Sequence, residues 1–554
     1  MTEPPVGDDR SRLLSAGAWV AAGTVVSRLT GFVRGALLLA VLGQSLNADL
    51  FTQANTLPNS LYILVAGGVF NVVLVPQLVR AMQRDDDGGE AFAQRLLSLG
   101  ALVLAGATAL LLAVVPALAY LAFDGALFTP ELAAQRESAY DLMRWCMPQV
   151  FFYGMFVLVG QILNARERFG PMMWAPIVNN VVACAVLATY ALTYGASDGD
   201  DGFSGSQEVL LGAGATAGIA VQALVLVPFA RAAGFRFRFR RDLRGVGLGR
   251  TLRLGAWTVA FVIANQVAFF VVMRIATGSS TEAALTGTEA NGVTAYQNAF
   301  LVAQVPHAII TVSLVTVTMP LLSRLAVDGR LDEVRAELGS TLRLALVAIA
   351  PVATALGCLG GALAAVLFSY GALDGNTASL GQTLAAFAPG LLLFTVHYLV
   401  LRGFYAREDT RTPFFLQLIV SGANIGFALA LTYGAPTDQV ATRLALAYGL
   451  AYLAGAAVST TVLSRQLGRG RTALVDRQLA GFTARLAAAC ATAAVLMIGL
   501  RFGLDRAGVD PAGDAGAVLT LAAAGGAGAL GYLLAARLLG LTEVRTLVRA
   551  AIGR

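Results

Sequence analysis

Apolar stretches of about twenty residues or more recur along the chain, and short polar segments between them carry most of its charges. A helix needs about 20 apolar residues to cross the ~30 Å hydrocarbon core of a bilayer. The stretches are continuously apolar, which favours helices over the alternating strands of a transmembrane barrel. The pattern predicts an all-α polytopic membrane protein of about fourteen spans, at residues 13–42, 55–80, 96–122, 139–163, 172–194, 208–230, 251–275, 293–322, 342–368, 380–401, 413–433, 443–464, 482–501 and 515–539.

Composition leads to the same class. The 554 residues are 57% hydrophobic and 13% charged, whereas soluble globular chains carry roughly 25% charged residues. The first apolar stretch, which begins at Leu13, is too long for the core of a signal peptide and is interpreted as a retained span. Four cysteines lie within apolar segments and match no metal-binding spacing. They are interpreted as small apolar filler, and no metal is predicted.

The distribution of basic residues predicts which loops face the cytoplasm. All of them are arginines, the net charge is +6, and they concentrate in the N-terminal tail, the even-numbered loops and the C-terminal tail. Odd-numbered loops are acidic or neutral, as at residues 198–201. The positive-inside rule then puts both termini in the cytoplasm of a bacterial inner membrane. The densest basic stretch, Arg231 to Arg253, is interpreted as a linker lying on anionic headgroups, with substrate gathering as the alternative. This scatter of arginines argues against nucleic-acid binding.

Three short motifs repeat at offsets of roughly 240 residues, which indicates a duplicated six-span unit. The matched motifs are Gly17-Ala18-Trp19 with Gly255-Ala256-Trp257, Pro76-Gln77-Leu78-Val79-Arg80 with Pro320-Leu321-Leu322-Ser323-Arg324, and Ala165-Arg166-Glu167 with Ala406-Arg407-Glu408. Two six-helix lobes in a pseudo-two-fold repeat, plus two extra C-terminal helices, are therefore predicted. The corresponding parts are a cytoplasmic tail (1–12), an N-lobe (13–230), a basic linker (231–250), a C-lobe (251–464) and a last helix pair with its tail (465–554).

Charged residues inside the spans are the candidate functional groups. Arg28 and Arg34 lie about 22 and 32 Å along the first span from Leu13, and a membrane-embedded arginine needs water, a partner or a ligand. On an ideal helix they point about 120° apart, and Gly31 between them could bend the helix and turn both toward one cavity. The alternative is a structural ion pair with Asp49.

Other polar groups in the spans suggest transport and not catalysis. Asn55 and Asn59 flank a proline in a segment expected to open the second span, where lining a cavity and capping the helix are equally plausible. His307 and His397 have no sequence partners and are expected to be packed or cavity-facing. No acidic residue lies in the middle of a span, so an anionic passenger such as a diphosphate is favoured over a cation. No nucleotide-binding motif is present, and no cofactor is predicted. Transport coupled to the membrane potential or to an ion is possible, but the sequence shows no coupling site.

Four segments carry a family resemblance. The run Ser27 to Arg34 resembles the SR-x-x-GF-x-R signature of the MurJ (MviN) lipid II flippases, and Leu57-Pro58-Asn59 is similar to their LPN motif. Gly160 to Ala165 and Gly403 to Pro413 resemble two further family elements. The detail is most similar to actinobacterial members. The resemblance covers the whole chain and places it in the superfamily of multidrug exporters and polysaccharide flippases.

The resemblance implies a transporter that moves lipid II, a peptidoglycan precursor linked to undecaprenyl diphosphate, from the inner to the outer leaflet by alternating access. It implies that Arg28 and Arg34 are cavity arginines and that Asp49 is an ion-pair or gate residue. It also implies a groove for the lipid tail at the last two spans. The small-residue face there allows close approach, and its residues are Gly525, Gly526 and Gly528.

The chain departs from the family pattern at four positions, which are Gly35, Tyr62, Gly67 and Leu301. Headgroup binding is therefore expected to rest on the arginines and on Tyr62. The full predicted substrate site consists of Ser27, Arg28, Gly31, Arg34, Asn55, Asn59 and Tyr62.

Two other functions compete with this one. The first is a flippase for another polyprenyl-linked glycan or a drug exporter, although a cation exporter should show a buried acid. The second is a non-transporting scaffold for cell-wall synthesis. Predicted partners are lipid II, membrane lipids and the proteins of wall synthesis and division.

Overall fold

The structure, a computed structural model, describes residues 6–63, 81, 87, 89–196, 199–242, 248–374, 376–467, 477–511 and 513–552. All regular structure in these residues is helical. The helices are α1 (Val6–Leu42), α2 (Leu46–Tyr62), α3 (Glu90–Ala113), α4 (Val115–Ala122), α5 (Ala133–Cys146), α6 (Gln149–Ala165), α7 (Gly170–Tyr194), α8 (Gly205–Ala232), α9 (Leu248–Thr286), α10 (Val293–Val327), α11 (Leu331–Phe368), α12 (Ala378–Tyr405), α13 (Arg411–Thr432), α14 (Val440–Gln466), α15 (Arg477–Arg506), α16 (Ala515–Leu538) and α17 (Thr542–Ile552).

Short irregular turns interrupt or connect these helices. One turn of π-helix lies inside each of α8, α10 and α16, at Val209–Ala213, His307–Thr311 and Leu521–Gly525. Single 3-10 turns occur at Gly125–Phe128, Pro130–Leu132, Gly371–Leu373 and Thr437–Gln439.

Thirteen helical segments among the described residues are long and apolar enough to cross a bilayer. The predicted all-α membrane fold is therefore confirmed. The remaining predicted span, 55–80, is described only as far as residue 63, and the repeat motif at residues 76–80 lies outside the described residues.

The second helix begins nine residues earlier than predicted. Ser45 caps it, because its hydroxyl accepts the N–H of Ala48 at 3.3 Å, and the N–H of Leu46 donates to the Asp200 carboxylate at 2.6 Å. A carboxylate at a helix N-terminus accepts from a backbone N–H that has no partner within the helix. Its negative charge also interacts favourably with the positive end of the helix dipole. The prediction that residues 55–59 open this helix is wrong, and Pro58 lies in its interior.

Helix α9 also runs beyond its predicted end at residue 275. Its last turns contain Ser279, Ser280 and Thr281, and the Thr281 hydroxyl donates to the Thr277 carbonyl at 3.1 Å. The helix stops at Gly287, whose φ of 69° is the left-handed conformation that glycine adopts at helix ends. Apolarity locates the part of a helix in lipid, whereas backbone caps decide where the helix ends.

The chain forms two compact units, residues 1–266 and 267–554, and α9 contributes to both. In the first unit α3 packs on α6 through two reciprocal contacts of glycine with leucine. Leu158 contacts Gly100, and Leu104 contacts Gly154. Without a Cβ at either glycine, the two backbones approach closely enough for each leucine to fill the gap, as is usual between helices in lipid.

In the second unit the last two spans, α15 and α16, pack on α11. Phe482, Met497 and Tyr532 belong to one buried apolar cluster with residues of α11. The Tyr532 hydroxyl donates to the Val347 carbonyl at 2.7 Å, so its one polar group is satisfied within the cluster. The predicted extra helices are thus part of the core of this unit.

One turn occurs twice, once in each unit. Glu167 and Glu408 both have a φ of 60°, and they are the non-glycine residues with positive φ among those described. In the first turn the N–H of Arg168 donates to the Leu163 carbonyl at 2.9 Å, and in the second the N–H of Asp409 donates to the Phe404 carbonyl at 3.1 Å. These turns follow α6 and α12 and fall on one of the matched motifs, which supports the six-span duplication.

Candidate functional site

The predicted site residues of α1 meet α7 through one asparagine. The side-chain amide of Asn180 donates to the Ser27 carbonyl at 3.1 Å and to the Thr30 hydroxyl at 2.9 Å. A Cβ on Gly31 would lie 3.5 Å from the same amide nitrogen. Asn180 is buried, and its two bonds fix α1 on α7 at the point where the arginine signature begins.

Arg34 follows this contact by one helical turn and lies on the same side of α1. Its side chain is half-buried, and its charge lies within electrostatic range of Tyr153 on α6 and Cys184 on α7. Helices α6 and α7 contain no charged residue, so neither of them supplies a charged partner for this guanidinium.

Arg28 has a different environment. Its side chain is exposed, and α1 continues as an unbroken helix through Gly31. The two arginines keep the ~120° separation of an ideal helix, and the structure does not bring them together. Neither arginine forms a salt bridge with any of the described acidic residues.

Helix α2 places two more predicted residues against α6. The side-chain amide of Gln149 donates to the Asn55 side-chain oxygen at 3.0 Å. Two turns further along α2 and one turn further along α6, the rings of Tyr62 and Tyr153 stack with their centroids 5.8 Å apart and their planes 21° apart. Tyr153 thus stacks on Tyr62 and lies within electrostatic range of Arg34, and these are two predicted site residues from different helices.

Asn59 is half-buried and Asp49 is buried, and both lie on α2. Asp49 is in the first turn of the helix, where a carboxylate complements the dipole. It lies thirteen residues before Tyr62, about 20 Å along the axis. The role of Asp49 as an ion-pair or gate residue stays a prediction. Of the four departures from the family pattern, Gly67 lies outside the described residues.

The three glycines predicted to line a lipid-tail groove have three different surroundings. Gly528 is buried against Met497 of α15, and a Cβ on Gly525 would lie 3.7 Å from Leu359 of α11. A Cβ on Gly526 would meet no atom within 4 Å. Gly528 therefore serves helix packing, and Gly526 presents an open backbone surface.

Sequence reasoning missed Gln149, Tyr153 and Asn180. A signal for the first two exists in the sequence, because a polar pair spaced i, i+4 shares one face of an otherwise apolar helix. Asn180 follows another asparagine in the middle of the fifth predicted span, and buried amides are costly in lipid unless they are hydrogen-bonded.

The second unit holds both histidines in a cluster of aromatic rings. His307 Nδ1 lies 3.0 Å from the Thr395 hydroxyl, and His397 Nδ1 lies 3.1 Å from the Ser459 hydroxyl. Both histidines are buried, as expected for packed polar residues. Near the end of α12 the guanidinium of Arg402 lies 4.0 Å above the ring of Tyr398, which holds the cation against an aromatic face.

Comparison with known proteins gives concordant results. A family model described as lipid II flippase MurJ matches residues 38–507. A probable lipid II flippase MurJ of Rhizobium meliloti is 29% identical over 430 residues, which are 77% of this chain and 76% of that protein. Among solved structures, lipid II flippase MurJ in an inward closed conformation aligns with a TM-score of 0.71 at 18% identity, over 96% of this chain and 99% of that one.

An inward-facing multidrug resistance MATE transporter of the MOP superfamily aligns with a TM-score of 0.62 at 14% identity, over 80% of this chain and 96% of that one. At these identities the two structural likenesses establish the fold.

Proposed function

This chain belongs to the MurJ lipid II flippase family, and we propose that it carries lipid II from the inner to the outer leaflet of the bacterial cytoplasmic membrane with both termini in the cytoplasm. As a member of this family it is a transporter and not an enzyme. The observation that carries the substrate assignment is Arg34, which is half-buried, lies within electrostatic range of Tyr153 and forms no salt bridge with any described acid. Such a group favours an anionic ligand.

The diphosphate of the lipid is the group that this arginine would bind. A guanidinium donates two parallel hydrogen bonds to phosphate oxygens, and such charge-assisted bonds are roughly twice as strong as neutral ones. Tyr153, which lies within electrostatic range of Arg34, stacks on Tyr62, and Gln149 and Asn55 form a further polar contact between α2 and α6. The sugars and peptide of lipid II need such neutral donors and acceptors.

Arg28 would act at a separate step. Because it is exposed on another face of α1, it is placed to meet the diphosphate before or after Arg34 does. Alternating access, in which the two lobes open in turn toward each leaflet, supplies the required motion. The lipid tail stays in the bilayer, where the open surface at Gly526 suits an acyl chain.

A two-part experiment tests the proposal. In cells depleted of the protein, lipid II exposed at the outer leaflet should fall while total lipid II rises. In liposomes holding the purified chain, labelled lipid II should become accessible to an external reagent, and protein-free liposomes should show no such change. Normal outer exposure in depleted cells would contradict the assignment. Preferential transport of a different polyprenyl-linked glycan would identify the alternative passenger.

A further inference from the structure

The chain between α8 and α9 contains a segment outside the helices in which phenylalanine alternates with arginine. We call residues 235–242, Phe-Arg-Phe-Arg-Phe-Arg-Arg-Asp, the Arg-Phe segment. It follows Gly234, whose φ of 82° turns the chain away from the helix. Phe235, its first residue, is buried in the apolar core of α3 and α6, and the guanidinium of Arg166 lies 5.5 Å above its ring.

Polar side chains of α3 hold the rest of the segment in place. The Gln94 amide donates to the Arg236 carbonyl at 3.0 Å, and the N–H of Arg240 donates to the Ser98 hydroxyl at 2.9 Å. The Arg240 guanidinium also donates to the Gln94 side-chain oxygen at 3.0 Å. The Oδ2 atom of Asp242 lies 3.8 Å from Nε of Arg95. The segment is thus attached along the first turns of α3.

These attachments set the depth of the segment relative to the membrane. Gln94 and Ser98 are four and eight residues into α3, about 6 and 12 Å from its start. The apolar run of this span begins between them, at Leu96. The segment therefore lies across α3 at the level where the headgroup region meets the hydrocarbon.

The exposed side chains of the segment are both aromatic and cationic. Phe237 and Phe239 are 51% and 54% exposed, in contrast to the buried Phe235. Arg236, Arg238 and Arg241 are exposed and form no salt bridge with the described residues. Two aromatic rings exposed to water carry a free-energy cost. At a membrane surface the rings would lie at the boundary of the acyl chains, and the guanidinium groups would lie among the lipid phosphates.

We propose that the Arg-Phe segment is a docking surface for the anionic phospholipid headgroups of the adjacent leaflet, which the arginine distribution makes the cytoplasmic one. The three free arginines contact lipid phosphates while Phe237 and Phe239 enter the acyl boundary. Charge complementarity selects phospholipids of negative charge. The exposed cations and rings are distributed along the segment, which suits a continuous headgroup layer better than a single lipid-linked passenger.

A fluorescent reporter at Phe239 tests the contact in the full-length chain. The four native cysteines are replaced by alanine, Phe239→Cys is labelled with a nitrobenzoxadiazole dye, and the protein is placed in nanodiscs of phosphatidylglycerol or of phosphatidylcholine. In phosphatidylglycerol the dye emission should lie at a shorter wavelength than in water. A nitroxide near the lipid headgroup should quench the dye more than a nitroxide deep in the acyl chain does. Quenching should fall at least about twofold in phosphatidylcholine. The dye on Asp201→Cys, in an exposed loop, should stay water-like in both.

Two charge variants make the test specific. Arg236→Gln/Arg238→Gln/Arg241→Gln should show the phosphatidylcholine behaviour even in phosphatidylglycerol. The matched control removes three other exposed arginines, Arg168→Gln/Arg324→Gln/Arg465→Gln, and should leave the quenching unchanged. Both variants should elute as single species at the parent's position, which shows that they are folded.

Three outcomes would overturn the proposal. These are water-like emission at Phe239 in both lipids, equal quenching in the segment and control variants, and a spectral change in phosphatidylcholine on addition of a few mole per cent of a polyprenyl diphosphate. The last result would identify the passenger as the occupant.

Discussion

Tyr62 and Tyr153 stack at 5.8 Å between ring centroids, and the same Tyr153 lies within electrostatic range of Arg34. This arrangement connects α1, α2 and α6 through one aromatic ring. Arg34 forms no salt bridge with the described acidic residues. A guanidinium so placed stays available to a phosphate.

Arg34→Ala should lower lipid II transport by about tenfold or more, since it removes a charge-assisted pair of hydrogen bonds. Arg34→Lys should also be impaired, because lysine keeps the charge but loses the planar fork. Membrane abundance by blot and transport in liposomes should be measured on the same preparations. Arg506→Ala removes a charge at the end of α15 and serves as the control. Full transport by Arg34→Ala at normal abundance would refute the role of this arginine.

Arg28→Ala should abolish transport while the protein still inserts at its normal level, because the exposed side chain makes no salt bridge with a described residue whose loss would unfold the chain. The measurement pairs membrane abundance with outer-leaflet lipid II in the same cells. If abundance falls in parallel with transport, Arg28 is structural and the ligand role is wrong.

Tyr153→Phe and Tyr153→Ala should separate positioning from packing. The phenylalanine keeps the stack on Tyr62 and should retain stability while it weakens transport, since it loses only the hydroxyl, which lies within electrostatic range of Arg34. The alanine leaves a cavity and should destabilise the protein by about 3 kcal/mol. Thermal unfolding in detergent and transport in liposomes check the two effects. Equal loss of stability in both variants would show that the hydroxyl is a packing group.

Asn180→Ala should destabilise the contact of α1 with α7 by about 1 kcal/mol, because it removes the donor to the Ser27 carbonyl and to the Thr30 hydroxyl. Thr30→Val removes only one of the two bonds and should cost less. A double-mutant cycle on the melting temperature measures the coupling between Asn180 and Thr30. Additive effects would show that their bond contributes nothing.

Gly526→Val and Gly528→Val should differ, although they are two residues apart. A side chain at Gly528 collides with Met497, so this variant should lose stability by about 1–3 kcal/mol and be less abundant. A side chain at Gly526 meets open space, so this variant should be abundant and, if the surface receives the lipid tail, slower in transport. Crosslinking of a polyprenyl photoprobe near Gly526 checks the second point. Normal transport by Gly526→Val would show that the lipid tail does not bind at this surface.

The sequence alone determined the class of this protein. Apolar runs long enough to span a bilayer can be read residue by residue, because a backbone in lipid must satisfy its own hydrogen bonds and so must be helical. The repeat was also readable, and Glu167 and Glu408 do adopt the same turn. The family signature from Ser27 to Arg34 needed no structure, since it consists of consecutive residues.

Tertiary structure alone decided what each polar residue meets. The start of α2 depends on Asp200, more than 150 residues away, and the fixing of α1 depends on Asn180, which is equally remote. Arg28 and Arg34 look equivalent in the sequence, yet Arg28 is exposed whereas Arg34 is half-buried within electrostatic range of Tyr153. Such differences come from contacts between distant helices, and hydrophobic periodicity encodes only which face of each helix is buried, not which partner covers it.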